Sequence, residues 1–482
     1  MIFLYLISLP LTGGLISLCS LNKHARAVIL TVISLAFFLT CQAIEKDASF
    51  GIYLAPLEIN AYLQISFFID KWNLIFLKLI SILWPIANIY AIYYIDKLKH
   101  PKDSDISSFH AFYQFSIATT VASVLSGDLL TMFIFYEILS LTTIPLLVFT
   151  KSKQSHIALK SYLTNLFITS GFLIVGGIVI CLVKGGVVSF YKANQIANLS
   201  SGLTAGLLFI FTFGIAKFAL FPFHSWLPKA MVAPVPVSAL LHAVAVVKLG
   251  AFFLFRVLHD IIGFANIKLA SVGNFFYGNW FLYLASFSCI YASVCAAREI
   301  ELKKILAYST ISQLSYIAIG FGLFNQSSAD IAFAQIINHA FAKITLFFAC
   351  GIILLHDKNI SLKNINGIAK QLPITTLCFT IAALSLIGMP LTNGYISKSN
   401  ITEAGINSKM IIMQCTLLVS TVFNGYYFLR IIYKMFFVKS RKIISFKNAV
   451  TFNETSRPLL LVTVFVAFLN ILFFNNIVAK IF

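Results

Sequence analysis

The sequence has few charged residues. Only 11% of its 482 residues are Asp, Glu, Lys or Arg, whereas 59% are hydrophobic and the mean hydropathy is +0.92. Soluble globular domains carry about 25% charged residues, so the composition excludes that class. We therefore predict an all-α, polytopic membrane protein without a separate soluble domain.

Cysteine is also sparse, and its spacing indicates no ligand set. The eight cysteines are scattered singly and none forms a C-x-x-C pair. This excludes a disulfide framework and gives no sign of a zinc or iron–sulfur site. No sequence pattern pairs His242 with His339 as haem ligands. We therefore expect no cofactor and no bound metal.

Acidic residues are outnumbered by basic ones, 16 to 35, which gives a net charge of +19. The Lys and Arg residues fall mostly in short loops between apolar runs, where such residues set membrane topology, so we expect no nucleic-acid partner. They are concentrated in alternate loops, at Lys23, Arg26, Lys97, Lys99, Lys102, Lys151, Lys153, Lys229, Arg298, Lys303, Lys304, Lys358, Lys363, Lys370 and five positions from Lys439 to Arg457. The other loops hold only a scatter such as Lys46 and Lys192. This asymmetry predicts that the first set is cytoplasmic and that both termini lie outside.

Apolar windows long enough to span a bilayer recur along the whole chain and predict about fourteen transmembrane helices. They lie near 1–21, 27–44, 74–95, 109–126, 129–150, 157–183, 203–223, 238–258, 278–297, 304–323, 329–355, 372–396, 409–437 and 457–481. Between the second and third windows, the more polar segment 45–73 contains YLQISFFID, which predicts a short hairpin at the surface.

Two stretches combine apolar sequence with lysines and helix breakers. Residues 211–256 carry Lys217 and Lys248, and residues 388–398 end at Lys398 after the motif GMPLTNGYISK. The first stretch also contains Pro222, Pro228, Pro234 and Pro236. An ammonium in hydrocarbon costs about 2.5 kcal/mol or more, so such lysines persist mainly where they face water or a partner. We predict broken helices near 217–236 and 388–398, because irregular backbone at membrane depth is confined to protein-buried or water-lined cavities.

The paired interruptions indicate an internal repeat. About five helices separate the two broken segments, which is typical of transporters built from two halves around a shared pathway. We place the first repeat at 109–258 and the second at 278–437, with 1–108 as N-terminal helices and 457–482 as the last helix.

Glu137 lies nine residues after Asp128, roughly 14 Å into the helix that Asp128 begins. Asp128 is predicted to be the N-cap of that helix. A carboxyl at the depth of Glu137 must be neutral, hydrated or paired. We expect an ion pair with Lys217; the alternative is a carboxyl held only by backbone donors.

Further titratable residues lie in the predicted spans. His339 and Lys343 are four residues apart, hence on one helix face, and could share a hydrated path. His242 by itself is as compatible with a packed histidine as with a relay group, and Lys398 is close enough to its helix end for its amine to extend to the interface. Burial lowers the pKa of a lysine and a neighbouring carboxylate raises it, so breaking one ion pair can release a proton. These residues therefore predict a proton path.

The motifs that hold these residues resemble a known family. SGDLLTMFIFYE, AKFALFPFHSWLPKAMVAPVPVSALLHAVAVVKLGAF, LKKILAYSTISQLSY, INHAFAKITLFFACG and GMPLTNGYISK span about 128–398. They are similar to the antiporter-like membrane subunits shared by respiratory complex I and the Mrp-type Na⁺/H⁺ antiporters, and among these most similar to the Mrp D subunit.

The resemblance implies fourteen helices in the bacterial inner membrane, two inverted five-helix repeats, and partner membrane subunits. It also implies a relay in which Glu137 pairs with Lys217 and protons pass by way of Lys248 and Lys343 to Lys398.

Two functions of different classes are compatible with this pattern. The first is a subunit of a secondary transporter that exchanges monovalent cations, such as Na⁺, for protons. The second is a proton-pumping subunit of NADH-quinone oxidoreductase, driven by redox chemistry in other subunits. Both would use the same relay and neither would place cofactor residues in this chain. A third hypothesis, a membrane scaffold, would make the buried charges dispensable.

Overall fold

The computed structural model describes residues 2–19, 22–44, 52–60, 62–98, 103–191, 199–271, 279–357, 361–439 and 457–481. Several basic residues on which the predicted topology rests lie outside the described residues: Lys46, Lys99, Lys102, Lys192, Lys358 and those at 440–456.

The described residues are mainly helical. The first part of the chain forms α1 (Ile2–Leu18), α2 (Lys23–Ala43), α3 (Lys71–Asp96), α4 (Asp103–Val124), α5 (Leu129–Leu147), α6 (Lys153–Lys184), α7 (Ser201–Gly214), α8 (Trp226–Lys229), α9 (Val235–Ala239) and α10 (Val246–Arg256). The second part forms α11 (Phe264–Ser271), α12 (Asn279–Arg298), α13 (Leu302–Phe321), α14 (Gln326–His356), α15 (Pro373–Ile387), α16 (Asn393–Asn407), α17 (Ile411–Phe436) and α18 (Arg457–Ile481).

Within the described ranges, eight helical segments are long and apolar enough to cross a membrane. They are α2, α3, α5, α6, the continuous segment Val235–Ile262 that contains α9 and α10, α12, α14 and α17. Shorter apolar helices include α1, α7 and α15. The multi-pass architecture is therefore confirmed, whereas the count of fourteen spans stays a prediction.

The predicted hairpin is present. Strands β1 (Ile52–Asn60) and β2 (Leu63–Ile69) pair antiparallel, with Ile52 opposite Ile69. Most of β2 is buried, so its expected surface position is wrong. The reason is that the chain around the start of α5 takes up its polar groups: Phe68 N donates to Leu125 O (2.7 Å) and Gly127 N donates to Ser66 O (2.8 Å).

The first broken helix lies where four prolines predicted it. Helix α7 ends at Gly214, a 3₁₀ turn follows at Ala216–Phe218, and the irregular chain continues, apart from short turns, until α9 begins at Val235. The indole Nε1 of Trp226 donates to the carbonyl of Ala216 at 3.1 Å, which satisfies a backbone acceptor freed by the break. Pro236 stands at the start of α9, where its missing N–H costs no helical hydrogen bond.

The second broken helix is also confirmed. Helix α15 ends at Gly388, whose φ of 90° is accessible mainly to glycine, and α16 begins at Asn393. Gly394 packs so closely on α15 that a Cβ there would lie 1.7 Å from the carbonyl oxygen of Ser385. Glycine at this position lets the two half-helices meet.

Two segments form the centre of the bundle. The most apolar windows of Val235–Ile262 and of α14 are completely buried. Helix α14 packs against α9, α13, α15, α16 and α18, and also touches α3 and α10. The predicted charged residues on α10 and α14 are therefore enclosed by protein on all sides.

Candidate functional site

Lys217 is fully buried in the 3₁₀ turn of the first broken helix. Its Nζ donates to the backbone carbonyl of Tyr136 at 2.6 Å and lies 3.1 Å from the centre of the Tyr136 ring. The Tyr136 hydroxyl in turn accepts from the backbone N–H of Lys217 at 3.1 Å. Gly250 of α10 makes this position possible, because a Cβ there would lie 2.6 Å from the carbonyl carbon of Lys217.

Glu137 does not form the predicted ion pair. Among the described residues, ion pairs within 4.0 Å do not include Glu137 with Lys217. Its carboxylate accepts from the hydroxyl of Ser170 on α6 at 2.9 Å. Successive helical residues point about 100° apart, so when Tyr136 faces Lys217 its neighbour Glu137 turns toward α6. The two charges are near enough to interact electrostatically but not in contact.

Lys248 and His339 meet at the centre of the bundle. Lys248 Nζ contacts His339 Nδ1, and both side chains are fully buried. His339 Nε2 has no hydrogen-bond partner among the described residues. This contact joins α10 to α14, a pairing that the sequence did not predict.

His242 lies in a π-helical turn, Leu240–Val244, between α9 and α10. Its ring is fully buried and packs 4.9 Å from the ring of Phe347. Both ring nitrogens lack a hydrogen-bond partner within the described part of the chain. π-turns occur often at functional sites, and buried, unpaired polar nitrogens mark a position where a proton or water can be accommodated.

Lys343 is fully buried one turn beyond His339 on α14. Its Nζ donates to the carbonyl of Leu306 and to the hydroxyl of Ser309, both at 2.9 Å and both on α13. The two α14 residues therefore contact different neighbours, His339 toward α10 and Lys343 toward α13.

Lys398 is 8% exposed and does not extend to the interface. Its Nζ donates to the carbonyls of Leu386 (2.6 Å) and Ile387 (3.1 Å). These are the last residues of α15, so the ammonium lies at the negative end of that helix. The ring centre of Tyr316 is 4.8 Å from the same Nζ.

The structure thus brings Lys248 together with His339 and places the other predicted residues at separate buried positions along the bundle. Sequence reasoning missed the neutral groups that hold the ammoniums, namely the backbone of Tyr136, the hydroxyl of Ser309 and the carbonyls at the end of α15. It also treated Lys303 as part of a loop cluster, whereas its Nζ donates to the carbonyl of Ala233 beside the first break (2.5 Å). Backbone acceptors leave no sequence signal.

No group of three or more His, Cys, Asp or Glu residues suited to a metal ion occurs in the described ranges. The titratable residues of the centre are lysines and histidines with hydroxyl and carbonyl neighbours. Such groups can hold and pass protons.

Comparisons with known proteins agree with this architecture. The family model described as "NADH:quinone oxidoreductase/Mrp antiporter, TM" matches residues 126–424. The A-type component of the Na⁺/H⁺ antiporter of Alkalihalophilus pseudofirmus is 29% identical over 78% of this chain and 48% of its own length. The putative antiporter subunit mnhA2 of Staphylococcus saprophyticus is 28% identical over 79% of this chain and 51% of its own length. The chain spans about half the length of these curated relatives.

Two solved structures share the fold. A chain of the archaeal membrane-bound sulfane sulfur reductase superposes with a TM-score of 0.84 at 23% identity, covering 99% of this chain and 96% of that one. A chain of the Mrp complex from Dietzia sp. DQ12-45-1b gives 0.83 at 18% identity, covering 100% and 95%.

The finer expectation of a D-type component is not confirmed, because these two curated relatives are named as A-type components. The family itself is settled by the model that matches well over half of the sequence. This chain, a multi-pass membrane protein with broken helices and buried lysines, belongs to the NADH:quinone oxidoreductase/Mrp antiporter transmembrane family.

Proposed function

We propose that this chain is the proton-translocating subunit of a multisubunit monovalent cation/proton antiporter, with Na⁺ as the cation. The observation that carries the proposal is the set of buried lysines, of which Lys217, Lys248 and Lys343 are fully inaccessible and Lys398 is 8% exposed. Buried ammoniums are costly, and none of the four forms an ion pair in the described residues. Each is suited to a state in which its proton has been passed on.

The relay begins at Glu137 and Lys217 and continues through Lys248 and His339 to Lys343 and Lys398. His242, near Lys248, completes the set. Proton transfer needs intervening water between several of these groups, because Lys248 with His339 is the direct contact among them that the described residues show.

The two halves of the relay belong to two repeats, 109–258 and 278–437. One structural correspondence supports this assignment. The residue before α5, Asp128, forms an isolated bridge with Ser189 after α6, and the residue before α13, Glu301, forms one with Ser361 after α14. The second and third helices of each half are thus connected in the same way.

For the placement in the membrane, we propose a bacterial plasma membrane with both termini on the outer side. Basic residues at the ends of described helices support this orientation, since Lys23, Lys97, Lys153 and Arg298 all fall at ends that would face the cytoplasm. Partner membrane subunits are part of the proposal.

A redox-driven alternative follows from one specific observation. A respiratory complex, the sulfane sulfur reductase, contains a chain of the same fold over nearly its whole length. The same relay would then be driven by electron transfer elsewhere. Purification of the native complex distinguishes the two: small membrane subunits alone support the antiporter, whereas iron–sulfur and quinone-reactive subunits support the alternative.

The test uses inverted vesicles that contain the assembled complex. We expect Glu137→Ala and Lys217→Ala to abolish sodium-driven proton movement while the complex still assembles. The matched control is Lys229→Ala, because Lys229 is an exposed lysine whose Nζ donates to the hydroxyl of Ser161 at 3.0 Å, away from the relay. Undiminished exchange in the first two variants would refute the role of these residues.

A further inference from the structure

A second cluster of charged residues lies away from the lysine line, beyond the end of α10. Arg256, 1% exposed, donates through Nη1 and Nη2 to the two carboxylate oxygens of Asp70 (2.7 and 2.8 Å) and through Nη1 to Asp260 Oδ2 (2.7 Å). Arg256 Nη2 also contacts Asn73 Oδ1. Asp260 is 3% exposed, and its second oxygen, Oδ1, lies 2.6 Å from Nδ1 of His259.

The hydrogen bonds of His259 fix its proton count. Gln326 Nε2 donates to Asp330 Oδ1 at 2.9 Å, and because a carboxylate oxygen is an acceptor, the amide cannot be turned the other way. Gln326 therefore presents its oxygen to His259 Nε2 at 2.9 Å, and Nε2 must carry a proton. On the other side of the ring, Nδ1 faces the carboxylate oxygen of Asp260, so a second proton lies between them.

Loss of that second proton would oppose two lone pairs at a separation typical of a charge-assisted hydrogen bond. The contact between His259 and Asp260 therefore depends on one exchangeable proton. Arg256 holds the other oxygen of Asp260 in place, so the carboxylate cannot easily turn away.

The pair is positioned between the interior and water. Asp260 is buried, whereas the His259 side chain is 23% exposed and Gln326 is exposed. The other charged groups around the ring are Asp70 and Lys71 at the start of α3, Asp330 on α14 and Lys268 on the adjoining α11. The neighbouring α7 contributes no titratable side chain.

The same helix connects this cluster to the lysine line. Lys248 and Arg256 are eight residues apart on α10, about 12 Å along its axis. Between them, the ring of Phe252 lies 5.2 Å from the guanidinium carbon of Arg256. His259 and Asp260 belong to a π-helical turn, Val257–Ile262, as His242 does on the other side of Lys248. π-turns commonly mark functional positions in helices.

We propose that the His259–Asp260 pair is a protonation site that exchanges its proton with water at one membrane face and forms the surface end of a branch from Lys248. This inference rests on the proposed function for the branch, but not for the protonation itself. Asp260 Oδ1 and His259 Nδ1 share the proton; it leaves through the exposed imidazole and is replaced from water or from the interior.

Two measurements on the assembled complex test the proposal. In the first, the histidines of this chain are labelled with ¹⁵N and the His259→Gln spectrum is subtracted from that of the wild type near neutral pH. The chain has nine histidines, so the difference isolates one ring. We expect both ring nitrogens of His259 to be protonated. A ring with one protonated nitrogen would overturn the assignment.

The second measurement is exchange in vesicles in which the pH of each side is set independently. We expect His259→Gln and Asp260→Asn to shift the midpoint of the pH profile on one side only, by about one pH unit, equivalent to a tenfold change in proton affinity. The control is His356→Gln, an exposed histidine at the opposite end of α14. An unchanged profile in an assembled His259→Gln complex would overturn the branch. Absence of exchange in the wild type would instead contradict the proposed function and leave the spectrum as the test of the site.

Discussion

Lys248 and His339 contact each other through Nζ and Nδ1 at a point where neither side chain is accessible to solvent. One of the two nitrogens must donate and the other accept, so the contact holds a proton that can reside on either residue. The contact is also the place where α10, from the first half of the chain, reaches α14 in the second half. It is therefore the connection between the two halves of the proposed relay.

The first prediction concerns this connection. Lys248→Met and His339→Leu are each expected to lower cation/proton exchange strongly, by roughly 100-fold, the lower end of what a positioned proton-transfer group contributes. Because the two residues act as a unit, the double variant should be no slower than the more impaired single variant. Exchange rates of the assembled complex in vesicles provide the measurement, and multiplicative losses in the double variant would contradict a shared proton.

The second prediction concerns the close approach of α10 to the first broken helix. A Cβ at Gly250 would lie 2.5 Å from the backbone nitrogen of Phe218 and 2.6 Å from the carbonyl carbon of Lys217. Because backbone atoms must move, Gly250→Ala is expected to cost about 1–3 kcal/mol and to displace Lys217.

Gly206→Ala is the matched control, since a Cβ at Gly206 meets nothing within 4 Å. Thermal unfolding of the purified complex and its exchange rate are the two measurements. Equal stability of the Gly250 and Gly206 variants would show that the break tolerates displacement.

Several features could be predicted from the sequence because each has a local cause. The prolines and glycines of the two breaks act on their own backbone, and the apolar windows report directly on burial, so the broken helices at 217–236 and 388–398 were predicted correctly. The N-cap role of Asp128 follows from its position, and its carboxylate accepts from Thr131 N at 2.8 Å.

The pairing of side chains between helices was less accessible. Helix rotation decides it, and a turn of one residue changes the facing side chain by about 100°. This is why Glu137 was assigned to Lys217 although it contacts Ser170, and why the Lys248–His339 contact was not foreseen. The acceptors of the buried ammoniums include backbone carbonyls, which every residue carries. Only the fold selects which of them are used.

The third prediction concerns the anchoring of the hairpin. The fully buried carboxylate of Asp128 accepts from the backbone and hydroxyl of Thr131 (2.8 and 2.7 Å), from Ser66 N (3.1 Å), and contacts the Ser66 hydroxyl. Burial raises the pKa of this carboxyl, which stands just outside the span, while these hydrogen bonds lower it.

Asp128→Ala leaves several buried donors unsatisfied, so we expect it to destabilise the protein by about 2–3 kcal/mol. Asp105→Ala is the control, because Asp105 pairs with a largely exposed Lys151 (2.9 Å) and such surface pairs contribute about 0–1 kcal/mol. The thermal midpoint of the complex should fall only for Asp128→Ala. A similar, small effect of both variants would mean that the hairpin is held by other contacts.

The last prediction separates two roles of Lys398. Its ammonium lies at the carbonyl end of α15, where a cation stabilises the helix by about 0.3–2 kcal/mol, and in the proposed function it also releases a proton. Lys398→Met removes both roles, so stability and exchange should both fall. Lys398→Arg keeps the charge but an arginine does not deprotonate in proteins, so this variant should assemble with near-normal stability and still lose exchange. Lys370→Arg, at an exposed position, is the control for the substitution itself. If Lys398→Arg exchanges cations for protons at the wild-type rate, the ammonium at this break has a structural role and the path must end before it.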